Sequence, residues 1–213
     1  MARLTNVHAD QQPDRIALTD ERGSTTWSAL NGRVNQIMAA LAASGVKAGD
    51  TIAIFAGNCR EYYELMAAAN HAGVIYVPVN WHFTSDELDY VVRDSGAKLM
   101  FVEDRYIATA TPVDAALRIA IRAHPDDFAN FENWLGREST AEPENQAMGG
   151  PMFYTSGTTG RPKGVRSSSG GGTAPLEALD MMAQGMSGML SIPGDGSTFV
   201  CGPVYHRAQW AFS

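Results

Sequence analysis

A run of glycines, small polar residues and basic side chains lies between Tyr154 and Gly164, with the sequence YTSGTTGRPKG. Glycines allow backbone N–H groups to approach a ligand closely, and successive N–H groups can form a concave anion site. Serine and threonine hydroxyls donate hydrogen bonds to phosphate oxygens, and Lys163 adds a mobile positive charge. This combination predicts a loop that binds a polyphosphate.

The charge of the surrounding sequence also favours an anionic ligand. The 213-residue chain has a formal net charge of −7, yet residues 145–176 contain no Asp or Glu, and Arg161, Lys163 and Arg166 supply positive charge there. A chain this acidic lacks the basic excess of a general nucleic-acid binder, so no nucleic-acid partner is expected. The run differs from the usual P-loop because Pro162 precedes the lysine and the following residues favour a strand. A solvated linker is the alternative, but the order of the residues argues against it.

The segments that must position this loop alternate between short apolar runs and amphipathic ones. Strands are predicted at 51–56, 74–79, 98–103, 118–123, 151–155, 164–168 and 197–202, and helices at 25–45, 59–73, 84–94 and 176–190. The spacing of Thr84 and Glu87 predicts a capping box at the start of the third helix, Gly96 is predicted to stop that helix, and Ser44-Gly45 is predicted to end the first. Such alternation predicts an α/β fold with a largely parallel sheet layered with helices. Ligands of these sheets bind at the carboxyl ends of the strands.

Composition along the chain predicts two parts. Residues 1–140 form a first, partial α/β subdomain, 124–150 a polar connector, and 151–213 the start of a second subdomain that carries the phosphate loop. An apolar face on the 176–190 helix is predicted to be core. The members of that face are Leu176, Leu179, Met182, Met186 and Met189. An open edge at the strand 197–202, with the apolar tail 208–213, favours self-association.

The two cysteines, Cys59 and Cys201, are too few and too distant to form a disulfide framework or a metal site. A cytoplasmic setting is the simpler interpretation, and the N-terminus shows no signal peptide. The most apolar stretch, 65–81, is interrupted by polar residues, glycine and proline, so no membrane span is expected. His8, His71, His82 and His124 are interpreted as structural, and Asn80 and Trp81 as turn and packing residues.

The motif resembles the signature of the adenylate-forming (AMP-binding) superfamily, which includes acyl-CoA synthetases, luciferases and the adenylation domains of peptide synthetases. YTSGTTGRPKGV matches the phosphate loop of that family residue for residue. Residues 47–80 and 83–103 look like its first conserved blocks, and GPVYHRAQWAFS at 202–213 resembles its later aromatic-histidine block. The resemblance covers essentially the whole chain.

The resemblance implies an ATP-dependent acid–thiol ligase that joins a carboxylic acid to AMP and then transfers the acyl group to CoA. ATP, CoA and magnesium would be required, with the magnesium ligands mostly outside this chain and no metal ligand assigned within it. Lys163 and His206 would be the catalytic residues. The β- and γ-phosphates would be held by Thr155, Ser156, Gly157, Thr158, Thr159, Gly160 and Lys163.

Details favour an acyl-CoA synthetase of the fatty-acid–CoA ligase type. The chain lacks the Thr-His that follows the lysine in many members, and its aromatic, apolar tail could border a fatty-acyl pocket. An aryl- or amino-acid-adenylating enzyme and a non-catalytic, truncated nucleotide-binding or interaction module are the alternatives. The family blocks for magnesium and ribose, and the C-terminal domain with its catalytic lysine, are not in this sequence. We therefore expect an N-terminal fragment of a longer enzyme that is inactive in isolation.

Overall fold

A computed structural model describes residues 4–115, 117–155, 161–166, 174–191 and 196–206. The helices are α1 (Thr5–Gln11), α2 (Trp27–Ala43), α3 (Arg60–His71), α4 (Ser85–Ser95), α5 (Ile107–Ala110), α6 (Phe131–Leu135) and α7 (Glu177–Met189). The strands are β1 (Ile16–Asp20), β2 (Gly23–Thr26), β3 (Thr51–Phe55), β4 (Ile75–Pro78), β5 (Ala97–Glu103), β6 (Leu117–Ile121), β7 (Ala129–Asn130), β8 (Gly150–Thr155) and β9 (Lys163–Arg166).

Seven strands form the main sheet in the order β7-β6-β5-β3-β4-β8-β9. Every neighbouring pair is parallel except β8 and β9, which are antiparallel. Strands β1 and β2 form a separate antiparallel pair. The predicted α/β fold with a largely parallel, helix-layered sheet is therefore confirmed.

The central strands are buried on both faces because helices cover the sheet from two sides. Along β3, Ile52 and Ile54 face the cluster formed with α2, α3 and α6, whereas Ala53 and Phe55 face the cluster formed with α4 and α5. This alternation follows from the two-residue period of a strand. All five residues of β3 are buried, which explains its continuous apolar sequence.

Local sequence signals fix the helix ends as predicted. The Thr84 hydroxyl accepts from the Glu87 N–H, and the Glu87 carboxylate accepts from the Thr84 N–H, so the predicted capping box begins α4. Gly96 ends that helix in the left-handed conformation, with φ of 65°. In α2, Ser44 is the C-terminal cap, as the Ser-Gly pair predicted.

The segment 124–150, predicted as a connector, contains regular structure in its first half. Strand β7 pairs with β6, and Phe131 and Leu135 of α6 are buried in the core that also contains α2. The second half runs past the end of α3 and leads into β8 through Gly149, whose N–H donates to the Asn70 carbonyl. The division of the chain into two subdomains remains a prediction.

Of the apolar face predicted for α7, Leu176 is buried as predicted and Met186 is half-buried, whereas the prediction is wrong for Met182 and Met189. Met182 is 37% exposed and Met189 is 77% exposed, whereas Leu176 and Ala183 are buried. Leu176 packs in a small cluster with Leu4 and Met148. Burial on this helix therefore falls on Leu176 and Ala183, and the exposed Met182 and Met189 do not share it. The side chain of Leu179 lies outside the described residues.

The predicted strand at 197–202 is also wrong. These residues are all described, and they form no strand. Phe199 is 89% exposed, so its side chain contributes nothing to the core. An apolar run becomes a strand only when a neighbouring strand pairs with it, and no described strand does so here. The apolar tail at 208–213 lies outside the described residues.

No helix in the described part of the chain is long and apolar enough to cross a membrane. Cys59 is buried, Cys201 is exposed, and both thiols are free, as predicted. Burial raises the pKa of the Cys59 thiol, so it remains protonated and unreactive near neutral pH.

Candidate functional site

The predicted phosphate loop connects the two antiparallel strands β8 and β9. Thr155 is the last residue of β8, Lys163 is the first of β9, and the two are register partners. Both side chains are exposed. The structure thus brings these two predicted site residues together at the base of the loop. The other predicted phosphate ligands, Ser156, Gly157, Thr158, Thr159 and Gly160, lie outside the described residues.

The loop begins at the carboxyl edge of the parallel sheet. Strand β8 pairs in parallel with β4, and β4 pairs in parallel with β3. Thr155 ends β8, so it lies at the same edge as the ends of those central strands. This edge is where open α/β sheets bind their ligands.

Helix α4 contacts both ends of the loop. Before the loop, the Tyr154 hydroxyl donates to Asp94 Oδ2 at 2.6 Å. After the loop, the Tyr90 hydroxyl donates to the Pro162 carbonyl at 3.1 Å, and the Arg161 guanidinium lies 5.1 Å from the Tyr90 ring centroid. Partial burial, and then the hydrogen bond to Asp94, raise the pKa of Tyr154. Tyr154 therefore keeps its proton and remains a donor at physiological pH.

Gly164 allows the Tyr154 ring to lie across the hairpin. A Cβ atom at Gly164 would come within 2.8 Å of Met152 Cε and 3.1 Å of Tyr154 Cζ. Glycine at this position therefore makes room for the ring whose hydroxyl reaches α4. The motif glycine after the lysine thus has a packing role in addition to any role in ligand binding.

The three basic residues near the loop are in different environments. Arg161 lies in an open groove that is also lined by Asp86, Asp89 and Asp94, and by Arg93, which pairs with Asp89. The Arg166 Nε donates to Met152 Sδ at 3.4 Å. Among the described residues, Lys163 has no ion-pair partner, which leaves its charge available to a ligand. No described residue forms an ion pair with any of the three, but Arg161 and Arg166 each contact a side chain whereas Lys163 does not, so Lys163 is the least constrained of these cations.

The second predicted catalytic residue, His206, lies on a segment held against the same edge of the sheet. The Tyr205 ring packs edge-on against Trp81, with 4.8 Å between centroids and an interplanar angle of 85°. Trp81 lies three residues after the end of β4, and this ring contact agrees with the packing role predicted for it. His206 is exposed, its N–H donates to the Pro203 carbonyl, and it makes no hydrogen bond to Thr155 or Lys163. The structure places His206 near the edge without bringing it to the lysine.

Asn58, which the sequence interpretation missed, holds the histidine segment in place. Its Nδ2 donates to the Gly202 carbonyl at 2.8 Å, and its Oδ1 accepts from the Val204 N–H at 3.0 Å. Val204 is fully buried in the same core as α2 and α3. Asn58 therefore fixes the backbone immediately before Tyr205 and His206. A polar Gly-Asn pair directly after a buried strand was the available signal.

Glu103, also missed, fixes the turn that carries Asn58. It ends β5, is 1% exposed, and its Oε2 accepts from the Gly57 N–H at 2.7 Å. Its Oε1 accepts from Arg105 Nε and Nη2 at 2.9 and 2.6 Å, so the buried carboxylate is paired. A Cβ at Gly57 would lie 3.1 Å from Oε2 of the buried Glu103, which favours glycine at this position.

The described residues include no group of three or more His, Cys, Asp or Glu placed to hold a metal ion. They thus supply no ligand set for the magnesium that the resemblance implies.

Comparison with known families decides the identity of the fold. The AMP-binding enzyme family matches residues 6–213. This chain belongs to that family. The AMP-binding enzyme family is the one that the loop motif indicated, so the resemblance inferred from the sequence is confirmed.

Individual relatives agree with this assignment. The chain is 32% identical over 167 residues to the fatty acid–[acyl-carrier-protein] ligase ScoC of Streptomyces coeruleorubidus, covering 78% of this chain and 32% of the relative. It is 30% identical over 171 residues to the indoleacetate–CoA ligase of Aromatoleum aromaticum, covering 76% of this chain and 34% of the relative. This AMP-binding chain thus spans about a third of the length of these curated relatives.

A solved structure shows the same fold. The long-chain-fatty-acid-CoA ligase FadD1 of Archaeoglobus fulgidus superposes with a TM-score of 0.81, covering 98% of this chain and 43% of its own. Sequence identity over that superposition is 16%, so this likeness concerns the fold.

Proposed function

We propose that this chain is the N-terminal portion of an ATP-dependent acid–thiol ligase. The enzyme would activate a carboxylic acid as an acyl adenylate and transfer the acyl group to CoA. The observation that carries the proposal is the phosphate-loop sequence, which connects Thr155 to Lys163 at the carboxyl edge of a parallel sheet. Membership of the AMP-binding enzyme family supports it.

In the first step a carboxylate oxygen bonds to the α-phosphorus of ATP, and the α–β anhydride bond breaks. Pyrophosphate leaves with the electron pair, so negative charge grows on the β- and γ-phosphates. Preorganised donors and a cation stabilise that charge because they need no rearrangement during the reaction. Lys163 is the described cation available for this role, and the hydroxyls and amides of residues 155–160 would supply the donors.

In the second step the sulfur of CoA attacks the acyl carbon, AMP leaves, and the thiol proton is released. His206 is proposed to lie between the acid and the nucleotide. Its segment is anchored by Asn58 and by the Trp81–Tyr205 contact, so the imidazole starts from a fixed backbone. Fixed positioning matters because misplacement of a reacting group is costly in rate.

A fatty acid is the proposed substrate class. The fatty acid ligase ScoC among the relatives supports it, whereas the indoleacetate–CoA ligase favours an aromatic acid as the second candidate. The full-length product of the gene should be assayed for pyrophosphate release with fatty, aromatic and amino acids. We expect the highest kcat/KM with a fatty acid and an acyl-CoA product. Preference for an aromatic or amino acid, or transfer to an acyl-carrier protein instead of CoA, would overturn the substrate assignment.

The 213-residue chain alone is proposed to bind ATP weakly and to lack turnover. Phosphate contacts in water are individually modest, because the ligand's own hydration opposes them. Calorimetric titration of ATP and a pyrophosphate assay on this chain test the proposal. Turnover above background would contradict it. If the reading frame stops after Ser213 and no turnover is found, the alternative of a non-catalytic nucleotide-binding or interaction module is favoured.

The free thiols of Cys59 and Cys201 support a reducing, cytoplasmic setting, which we include in the proposal.

A further inference from the structure

Helix α4 contacts both ends of the phosphate loop. Tyr90 and Asp94 are four residues apart, so they project from the same face of α4. Asp94 accepts a hydrogen bond from the hydroxyl of Tyr154, the residue that precedes Thr155. Tyr90 donates a hydrogen bond to the carbonyl of Pro162, the residue that precedes Lys163. Each contact therefore adjoins one of the two residues at the base of the loop.

The loop needs such support because its hairpin is short and lies at the border of the sheet. Among the described strands, β9 has β8 as its one neighbour, and the hairpin contains four register pairs, of which Thr155–Lys163 is the last. All four residues of β9 are exposed. A terminal pair of an edge hairpin opens easily when it has few buried contacts. Contacts from a packed helix would keep that pair closed.

Helix α4 is itself firmly held, which allows it to act as a support. Leu88, Val91 and Val92 are buried against the sheet, and a capping box and a left-handed glycine fix its two ends. The Arg161 guanidinium stacks on Tyr90, within the groove lined by the same helix. This contact directs Arg161 away from the role of phosphate ligand and adds to the attachment of the loop.

We propose that α4 is a brace for the phosphate loop, in which Tyr90 and Asp94 are positioning residues that set the placement of Thr155 and Lys163. Arg161 belongs to this brace rather than to the anion site. The catalytic consequence of the brace rests on the proposed function, whereas its structural consequence does not.

Hydrogen exchange of the full-length protein tests the structural consequence. Tyr90→Phe and Tyr154→Phe each delete one hydroxyl and keep the ring, and Tyr63→Phe on α3 makes the same chemical change away from the loop. We expect the amides of Thr155, Lys163 and Gly164 to exchange about fivefold faster in Tyr90→Phe, which loses a neutral hydrogen bond, and about tenfold or more faster in Tyr154→Phe, which loses a hydrogen bond to a carboxylate. Exchange in Tyr63→Phe should be unchanged. Unchanged exchange in both loop variants would overturn the brace, whether or not the protein has ligase activity.

Kinetics test the catalytic consequence. Tyr90→Phe alone should lower the rate of carboxylate-dependent pyrophosphate release about three- to tenfold. Added to Lys163→Ala, it should cause no further decrease in that rate. A merely structural role would produce the same loss in both backgrounds, which would overturn the positioning role. If the wild-type protein releases no pyrophosphate, the proposed function fails, and the exchange result still decides whether the brace exists.

Discussion

Thr155 and Lys163 face each other as the final register pair of β8 and β9, at the carboxyl edge of the sheet. The chain leaves the sheet after Thr155 and returns to it at Lys163, so one pair of strands fixes both ends of the predicted phosphate loop. Eight positions separate these residues in sequence, and only the hairpin brings them together. The geometry explains why a threonine and a lysine could act on the same anion.

Asn58 gives a prediction about the histidine segment. Asn58→Ala leaves the Gly202 carbonyl and the N–H of the buried Val204 without a partner, so the free energy of unfolding should fall by about 1–3 kcal/mol. Asn58→Asp keeps the acceptor for Val204 and loses the donor to Gly202. Its free energy of unfolding should therefore lie between those of wild type and Asn58→Ala. Urea unfolding measures the stability of each variant. Equal stability of Asn58→Ala and wild type would show that the two Asn58 hydrogen bonds contribute nothing to the free energy of unfolding.

Gly149 gives a prediction about the entry into β8. A Cβ at this position would lie 2.1 Å from the Ala69 carbonyl oxygen and 2.4 Å from that of Val74, and backbone cannot move aside cheaply. Gly149→Ala should therefore destabilise the fold by about 3 kcal/mol or more.

The matched control for that substitution is Gly185→Ala in α7, where an added Cβ meets nothing within 4 Å. Because alanine favours a helix interior, this variant should gain up to about 1 kcal/mol. Thermal unfolding compares the two, and a similar melting temperature for both would contradict the close approach at Gly149.

His71 gives a prediction about pH. Its Nε2 accepts from the Thr5 N–H and its Nδ1 hydrogen-bonds Gln146 Oε1, so the buried ring is neutral and joins α1 to the segment before β8. Burial lowers the pKa of His71 below its ordinary value of 6.5. The unfolded chain then binds the proton more readily, so the stability contribution is complete above pH 6.5 and is lost progressively as the pH falls below it.

The predicted loss of stability at low pH is checked by measuring the free energy of unfolding of wild type and His71→Gln at about pH 7 and pH 5.5. The wild type should lose more stability than the variant over that interval. Equal losses in the two proteins would exclude His71 as the group responsible.

The sequence predicted those features that depend on local chemistry or on strict periodicity. The capping box of Thr84 and Glu87 and the αL glycine at 96 are local, and the buried strands are recognisable from their continuous apolar residues. Both depend on residues adjacent in sequence, so no knowledge of the tertiary fold was needed to find them.

The features that the sequence did not predict depend on distant partners. Asn58 reaches residues 144 and 146 positions away, and Tyr90 reaches Pro162 72 positions away, and no spacing rule encodes such pairs. Phe199 lies in an apolar run typical of a strand, yet it is exposed because no described strand pairs with it. In the sequence, Arg161 and Lys163 are equivalent candidates for phosphate binding. Only the fold shows that Arg161 lies in a groove lined by charged residues of α4.

The most direct test of the account is carboxylate-dependent pyrophosphate release by the full-length protein carrying Lys163→Ala. Loss of one charge-assisted hydrogen bond to the phosphates costs about 1.5–3 kcal/mol, so the rate should fall about ten- to a hundredfold. Lys47→Ala, which removes an exposed lysine far from the loop, should leave the rate unchanged. A Lys163→Ala enzyme that releases pyrophosphate at the wild-type rate would show that this lysine does not face the phosphates, and would contradict the account.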